Sequence, residues 1–272
     1  YIILHFRLVN GSDFNSNHVQ YISFFIALLS LTLIVKELGL SSKWQFLTFI
    51  IGLTLTSAIS ESVTTQSDLS VSALILISLY FGLKLLRTGK FIYILFTGAA
   101  LGLTALTKAH TATFLFPFFI WIGIVVFKKD MAKAIRNFIV IGFIILLIIT
   151  PFYLRNYIAT NHLFGSNNIT SSLLNEKFDL KGATSNIVRN LSLNLGTPSR
   201  TFNENIASAV DKFHRNVLNI TPFKREYTFA GGQEKHPFKI VFRNNEDLIG
   251  NFFHIILISL SFFLLFKIKK ER

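Results

Sequence analysis

Residues 91–127 read FIYILFTGAALGLTALTKAHTATFLFPFFIWIGIVVF. Two apolar runs, Phe91–Thr107 and Thr111–Phe127, meet at one polar turn that holds Lys108 and His110. Each run approaches the roughly 20 residues that cross a hydrocarbon core, so the stretch reads as two membrane helices joined tightly. A cation beside lipid is costly unless it snorkels to the headgroups or holds an anion. Both readings of Lys108 and His110 stay open at this point. Gly98-Ala-Ala-Leu-Gly102 is a small-xxx-small pattern that lets another helix approach closely, which puts Lys108 at the end of a packed helix. Pro117 lies inside the second run, where it is expected to kink the helix and open a cavity.

The rest of the chain extends this pattern. Of 272 residues, 51% are hydrophobic and 15% charged, well below the quarter usual in soluble domains. Further apolar runs occur at about Val19–Val35, Trp44–Ile59, Leu69–Leu86, Phe138–Leu154 and Ile249–Phe266. The fold class expected is an all-α polytopic membrane protein with about seven transmembrane helices. The absence of cysteine excludes disulfides, thiolate metal sites and cysteine nucleophiles. The net charge of +13 does not indicate nucleic acid, because the cations sit in short loops between apolar runs. The chain begins at Tyr1 without a signal-peptide pattern and is expected to be part of a longer protein.

Loop charge orients the spans. Lys36 and Lys43, then Lys84, Arg87 and Lys90, then Lys128, Lys129, Lys133 and Arg136, then Lys267, Lys269, Lys270 and Arg272 occupy alternate loops, which are therefore cytoplasmic. The outer face then receives residues 1–18 as an interfacial helix and loop, the loop Glu61–Asp68, the turn at Lys108–His110 and the segment 155–248. Residues 19–154 form a six-helix core, and residues 249–272 a last helix with a basic tail. Within the outer segment, Thr201-Phe-Asn-Glu204 is a capping-box pattern, followed by Ile206, Val210, Phe213 and Val217 at helical spacing. Gly231-Gly232 reads as a turn and Lys239–Phe242 as a short strand.

Lys108 and Arg155 are cations on the side where cations are disfavoured, and a guanidinium there suits bidentate phosphate binding. Arg155 follows Pro151 at a helix exit, with Asn156 and Tyr157 after it; an aromatic-belt anchor is the alternative reading. Asp68 precedes an apolar run and reads first as a helix N-cap. Glu61 and Gln66 share its loop. Glu246 and Asp247, with Asn251 and His254, enter the last helix, where Asp247 suits a cap and the group by composition suits a metal or an acceptor sugar. No Walker loop, dinucleotide fingerprint or zinc-protease helix is present.

The ordered set Asn17-His-Val-Gln20, Lys36-Glu-Leu-Gly-Leu, Thr64-Thr-Gln-Ser-Asp-Leu69, Leu101-Gly-Leu-Thr-Ala-Leu-Thr-Lys108, Pro151-Phe-Tyr-Leu-Arg-Asn-Tyr157, Asn190-Leu-Ser-Leu-Asn-Leu-Gly-Thr-Pro198, Glu246-Asp247 and Gly250-Asn251 resembles the bacterial C-type (GT-C) membrane glycosyltransferases. These include the protein O-mannosyltransferases and aminoarabinose transferases. The resemblance implies transfer of a sugar from a polyprenyl-phosphate donor to a hydroxyl of a glycan, lipid or protein acceptor outside the cytoplasm. It places a catalytic aspartate in the first outer loop, expected upstream of Tyr1. It gives Lys108 and Arg155 the donor phosphate, with His110 assisting though it matches no family position. Glu61, Gln66, Asp68, Asn156, Tyr157, Glu246, Asp247, Asn251 and His254 are then the candidate acceptor or donor contacts. Some relatives use a divalent metal ion. The alternative is a non-enzymatic membrane protein that binds or moves a lipid-linked anion.

Overall fold

A computed structural model describes residues 2–12, 15–164, 176–177, 179–227, 238–242 and 250–270. Among the described residues the chain is helical, with no strand. It divides into two compact units, one of Tyr1–Thr54 with Glu61–Leu163, the other of Leu55–Ser60 with Phe164–Arg272.

The first unit contains α1 (Ile2–Asn10), α2 (His18–Glu37), α3 (Ser42–Leu53), α5 (Asp68–Thr88), α6 (Phe91–Thr107), α7 (Ala112–Lys129) and α8 (Met131–Thr160). α2, α5 and α8 are long and apolar enough to cross a membrane, and α6 is a shorter apolar helix. Phe114, Phe138, Leu146 and Leu147 are among many large apolar side chains exposed on these helices. Such a surface asks for lipid rather than water.

Termini follow local chemistry. α5 ends where Gly89 takes φ 66°, a left-handed cap that glycine adopts without strain. Asp130 caps α8 by accepting from the Lys133 backbone N–H at 2.9 Å, and Asn161 ends it at φ 56°. α8 thus has 30 residues, extending the expected Phe138–Leu154 span at both ends, and reaches about 45 Å. Pro151 lies within it, so Arg155 is a helical residue rather than the first residue after an exit. α7 likewise runs through Pro117.

The expected single span Trp44–Ile59 is two helices, α3 and the short α4 (Thr56–Glu61). Thr54 Oγ1 donates to the Ile51 carbonyl at 2.8 Å at the end of α3, and Thr56 Oγ1 donates to the Gly250 carbonyl at 2.8 Å. The Thr54 bond, to a carbonyl three residues back, is the local kind that competes with helix continuation.

α6 and α8 pack through the glycines of the small-xxx-small pattern. A Cβ on Gly98 would lie 3.0 Å from Ile144 Cβ, and one on Gly102 would lie 2.8 Å from Ile148 Cδ1. Both pairs share one offset, so the helices are parallel. Continued upward, that offset brings Lys108 level with Leu154, the residue before Arg155.

The second unit holds α9 (Leu180–Leu193), α10 (Arg200–Phe213), a π-helical turn over His214–Leu218 and α11 (Phe252–Lys270). Ser199 caps α10, its hydroxyl accepting from Phe202 N at 3.4 Å, two residues before the expected capping box. Glu204 instead pairs with Arg200 at 2.7 Å. The π turn adds a residue to the register, so Leu218 is buried while Val217, expected inside, is exposed. Residues 238–242 are irregular rather than a strand, with Phe238 and Ile240 packed among Ala207 and Val210. Gly231-Gly232 lies outside the described residues.

Candidate functional site

The N-terminal ends of α2 and α5 and the C-terminal end of α6 meet in one polar group. Gln20, fully buried in the first turn of α2, accepts at Oε1 from the Ser70 backbone N–H at 3.0 Å and the Ser70 hydroxyl at 3.1 Å. Ser23 Oγ lies 2.9 Å from Ser70 Oγ. Ser70 is the third residue of α5, where a helix leaves a backbone N–H unsatisfied. Ser67, at the N-cap position, makes no side-chain cap bond. Gln20 therefore caps α5 from a neighbouring helix.

This arrangement changes the role of Asp68. Expected as the N-cap, it is the first residue of the helix, and its carboxylate forms an ion pair with Lys108 Nζ. Asp68 at an N-terminus and Lys108 just past a C-terminus each complement their helix dipole. The side chains remain 28% and 38% exposed for Lys108 and Asp68, so water still reaches the pair.

The turn that carries Lys108 is fixed by its backbone. Lys108 is extended at φ −147°, donates its N–H to the Thr104 carbonyl at 3.0 Å, and so ends α6. Its carbonyl accepts from the Thr111 N–H at 3.1 Å and the Thr111 hydroxyl at 2.5 Å. Thr111 is buried. His110 lies in the 3-10 turn Ala109–Thr111 with its side chain exposed. Its carbonyl accepts from Thr113 Oγ1 at 2.8 Å.

Arg155 is exposed on α8 and stacks over the Phe152 ring, 5.3 Å from its centroid. Asn156 Nδ2 donates to the Leu163 carbonyl at 3.3 Å, and Tyr157 is exposed. Glu61 ends α4, its carbonyl accepting from Thr64 N–H and Oγ1, and Gln66 N–H donates to Thr64 Oγ1 at 3.3 Å. The geometry thus joins Asp68 to Lys108 directly and sets Arg155 at the same level of the helix bundle.

The opposite end of the same helices holds a second ion-pair group. Glu37 meets Lys84 at 3.0 Å and Arg87 at 3.4 Å with its carboxylate nearly sealed from solvent. Between α6, α7 and α8 runs an apolar groove of about 850 Å3, lined by Leu101, Phe119, Ile122 and Ile141, with Lys128 and Asn137 its polar exceptions.

In the second unit, Asn251 is a saturated hub. Its Nδ2 donates to Ser57 Oγ at 3.0 Å and Asn194 Oδ1 at 2.8 Å; its Oδ1 accepts from Thr56 Oγ1 at 3.1 Å and Ser57 N–H at 3.3 Å. A side-chain amide offers two donors and two lone pairs, so nothing is left for a ligand. His254 follows in α11, edge-on to Phe253. Glu246 and Asp247, which the sequence groups with Asn251 and His254, lie outside the described residues. Among the described residues no three His, Asp or Glu side chains gather as a metal site.

Ser185 and His214 form another pair that single-sequence reading passes over. His214 Nδ1 donates to the Val210 carbonyl at 2.8 Å, leaving Nε2 to accept from Ser185 Oγ at 3.0 Å. Both residues are fully buried, which makes the pair a core contact rather than a reachable nucleophile and base.

At the start of α9, Asp179 accepts from Gly182 N–H at 2.7 Å and from the Tyr227 hydroxyl at 3.0 Å. The backbone bond first, then the phenol, hold its carboxyl below the ordinary carboxylate range. Glu226 is likewise lowered by Lys177 and Lys224, at 2.7 and 3.2 Å.

Sequence reading named Lys108, Asp68 and Arg155 but assigned no role to Gln20 or Ser70. Their signal is polar side chains in the first turn of otherwise apolar helices. Comparison of the chain with protein-family models finds no match, and neither curated proteins nor solved structures match it.

Proposed function

We propose that the chain is the core of a membrane glycosyltransferase that uses a polyprenyl-phosphate sugar at its extracytoplasmic face. The observation that carries the reading is the Lys108–Asp68 pair, held at the end of close-packed apolar helices and level with Arg155. The seven spans of this reading are α2, the α3–α4 pair, α5, α6, α7, α8 and α11, with the Glu37–Lys84–Arg87 end cytoplasmic.

In this mechanism the donor phosphate sits between Lys108 and Arg155. Lys108 Nζ has three N–H donors and Asp68 engages it by one partner, so donors remain for a phosphate oxygen. Asp68 keeps the ammonium at the helix end rather than letting it snorkel outward. When the anomeric carbon–oxygen bond breaks, the departing lipid phosphate gains charge, and the two cations stabilise it. The acceptor hydroxyl attacks the opposite face with inversion, its proton taken by the aspartate that the family resemblance places in the first outer loop. The apolar groove beside α7 suits a long hydrocarbon chain.

The test is transfer from a polyprenyl-phosphate sugar by the full-length protein in proteoliposomes. Lys108→Ala and Arg155→Ala are each expected to lower turnover by on the order of a hundredfold, the usual cost of removing a charge stabiliser. Wild-type turnover with both replaced sinks the reading. Saturable binding of the lipid phosphate without transfer to any acceptor would favour the anion-carrier alternative.

A further inference from the structure

α9 is built inside out for a helix in water. Leu180, Ile187 and Leu191 share one stripe, at spacings of seven and four residues, and point outward with 84%, 58% and 54% exposure. Ala183 is exposed on the same stripe. The buried residues are instead Gly182, Ser185 and Ser192, with the partly buried Val188 packed against the core beside them. Even the guanidinium of Arg189 turns inward, lying over the Phe223 ring at 5.7 Å from its centroid. An amphipathic surface helix normally buries its apolar stripe and wets its polar one.

The C-terminal end of α9 is fastened to the start of α11. Asn194, the residue after α9, accepts from Asn251 Nδ2 at 2.8 Å, and Asn251 directly precedes α11. The chain backbones also meet here: a Cβ on Gly250 would lie 2.5 Å from the Gly196 carbonyl oxygen and 3.0 Å from its nitrogen. α11 in turn is apolar on all sides, with Phe253, Ile258, Leu260, Phe262 and Phe263 exposed around its circumference. A helix of that kind resides in lipid. Its 19 residues span about 28 Å, close to a hydrocarbon core, and its far end carries Lys267, Lys269 and Lys270. The basic end belongs in the cytoplasm, which leaves the Asn251 end at the outer boundary.

We propose that α9 is an interfacial helix, laid along the outer membrane surface with Leu180, Ile187 and Leu191 inserted among the upper acyl chains. The stripe is about 16 Å long and is pinned at one end to the level where α11 enters the bilayer. Lipid is the occupant that this placement selects, because the exposed face is apolar and its C-terminal end is fastened where a helix that requires lipid begins. Insertion to roughly 5–10 Å is the depth such helices adopt. The inference rests on the membrane character of α11 and not on any glycosyl transfer.

The absence of cysteine from the chain allows single-site labelling. Leu180→Cys, Ile187→Cys and Leu191→Cys, each carrying a nitroxide, are placed in phosphatidylcholine–phosphatidylglycerol vesicles, with Lys212→Cys on α10 as the water-facing reference. Because these side chains are outward-facing, the replacements remove little packing, and circular dichroism confirms helix content. The expected result is a several-fold fall in collisions with a water-soluble nickel chelate at all three sites relative to Lys212→Cys, with a rise in collisions with oxygen. Free access of nickel at the three sites overturns the proposal. Immobilised labels reached by neither nickel nor oxygen also overturn it, since they indicate a protein surface, such as a second copy, over the stripe. Ile187→Trp with lipids brominated along the chain repeats the test: added quenching beyond that of Trp44 and Trp121 is expected, and none overturns it.

Discussion

Gln20 caps α5 from outside the helix, and that frees Asp68 to face Lys108. The cross-helix bond to Ser70 performs the work an N-cap side chain would do, so the carboxylate is available for the ammonium. Ion pairs with this much solvent contact are worth about 0–1 kcal/mol. A pair so weak holds Lys108 in place yet yields it to a stronger anion.

Opposite effects on lipid-phosphate binding follow for the two partners. Asp68→Asn keeps an acceptor for Lys108 but removes the negative charge beside the phosphate, and is expected to tighten binding of a polyprenyl-phosphate analogue several-fold; Lys108→Ala is expected to weaken it by tenfold or more. Titration of detergent-solubilised protein with a fluorescent analogue measures both. Equal weakening by the two variants would mean that Asp68 orders the site more than it competes.

The contact of α6 with α8 leaves no room at Gly102. A Cβ there would meet Ile148 Cδ1 at 2.8 Å and the Ile145 Cα at 3.4 Å. Gly102→Val should destabilise the helix pair by about 1–3 kcal/mol, the cost of overpacking, lowering the thermal midpoint in detergent. Gly142→Ala is the control, because a Cβ at Gly142 meets nothing within 4 Å. It should be neutral or raise stability by up to about 1 kcal/mol, since alanine is the better helix former.

Most helix positions are legible in the sequence because apolar length alone reports them: Phe91–Thr107 is the helix the run suggests. Polar residues that join a helix through capping are less visible, which is why α8 extends past its apolar run to Asp130 and Asn161. The break between α3 and α4 lies beside a hydrogen bond from Thr56 to Gly250, a contact far away in sequence. In the candidate site, Lys108 stands out as a charge in an apolar stretch. Gln20 does not, because its importance comes from a partner fifty residues on. The inward turn of Leu218 in place of Val217 is invisible to a 3.6-residue period, which a π turn interrupts.

Asn251 makes a sharper stability prediction than any charged candidate. Asn251→Ala leaves the half-buried Ser57 and Asn194 without their shared partner, while Thr56 keeps its bond to the Gly250 carbonyl, and the loss is expected to cost about 1–3 kcal/mol unless water replaces the bonds. Asn251→Asp keeps the acceptor but loses both donated bonds, so it should not restore stability. Thermal unfolding followed by tryptophan-independent circular dichroism distinguishes them; a wild-type midpoint for Asn251→Ala would remove the hub from the account of this unit.

Asp179 and Glu226 define an acid limit for the second unit. Their folded-state pKa values are depressed, by Gly182 N–H and Tyr227 for the first and by Lys177 and Lys224 for the second. A depressed carboxyl contributes stability that is complete above its unfolded pKa and is lost as pH falls through the folded one. Lys177 and Tyr227 are shifted upward, Lys177 mainly by its bond to Glu226 and Tyr227 by burial and then Asp179. Their contribution is complete below their unfolded values and fades as pH rises through the folded ones. The unit should therefore hold its stability through neutral pH and lose it below the ordinary carboxylate range and again in strong alkali. Asp179→Asn, which keeps an acceptor for Gly182 but does not titrate, should flatten the acid limb while leaving Lys177 and Glu226 in place. Thermal midpoints measured from pH 7 downward check this: an acid limb as steep in Asp179→Asn as in the wild type would show that Asp179 is not what titrates there.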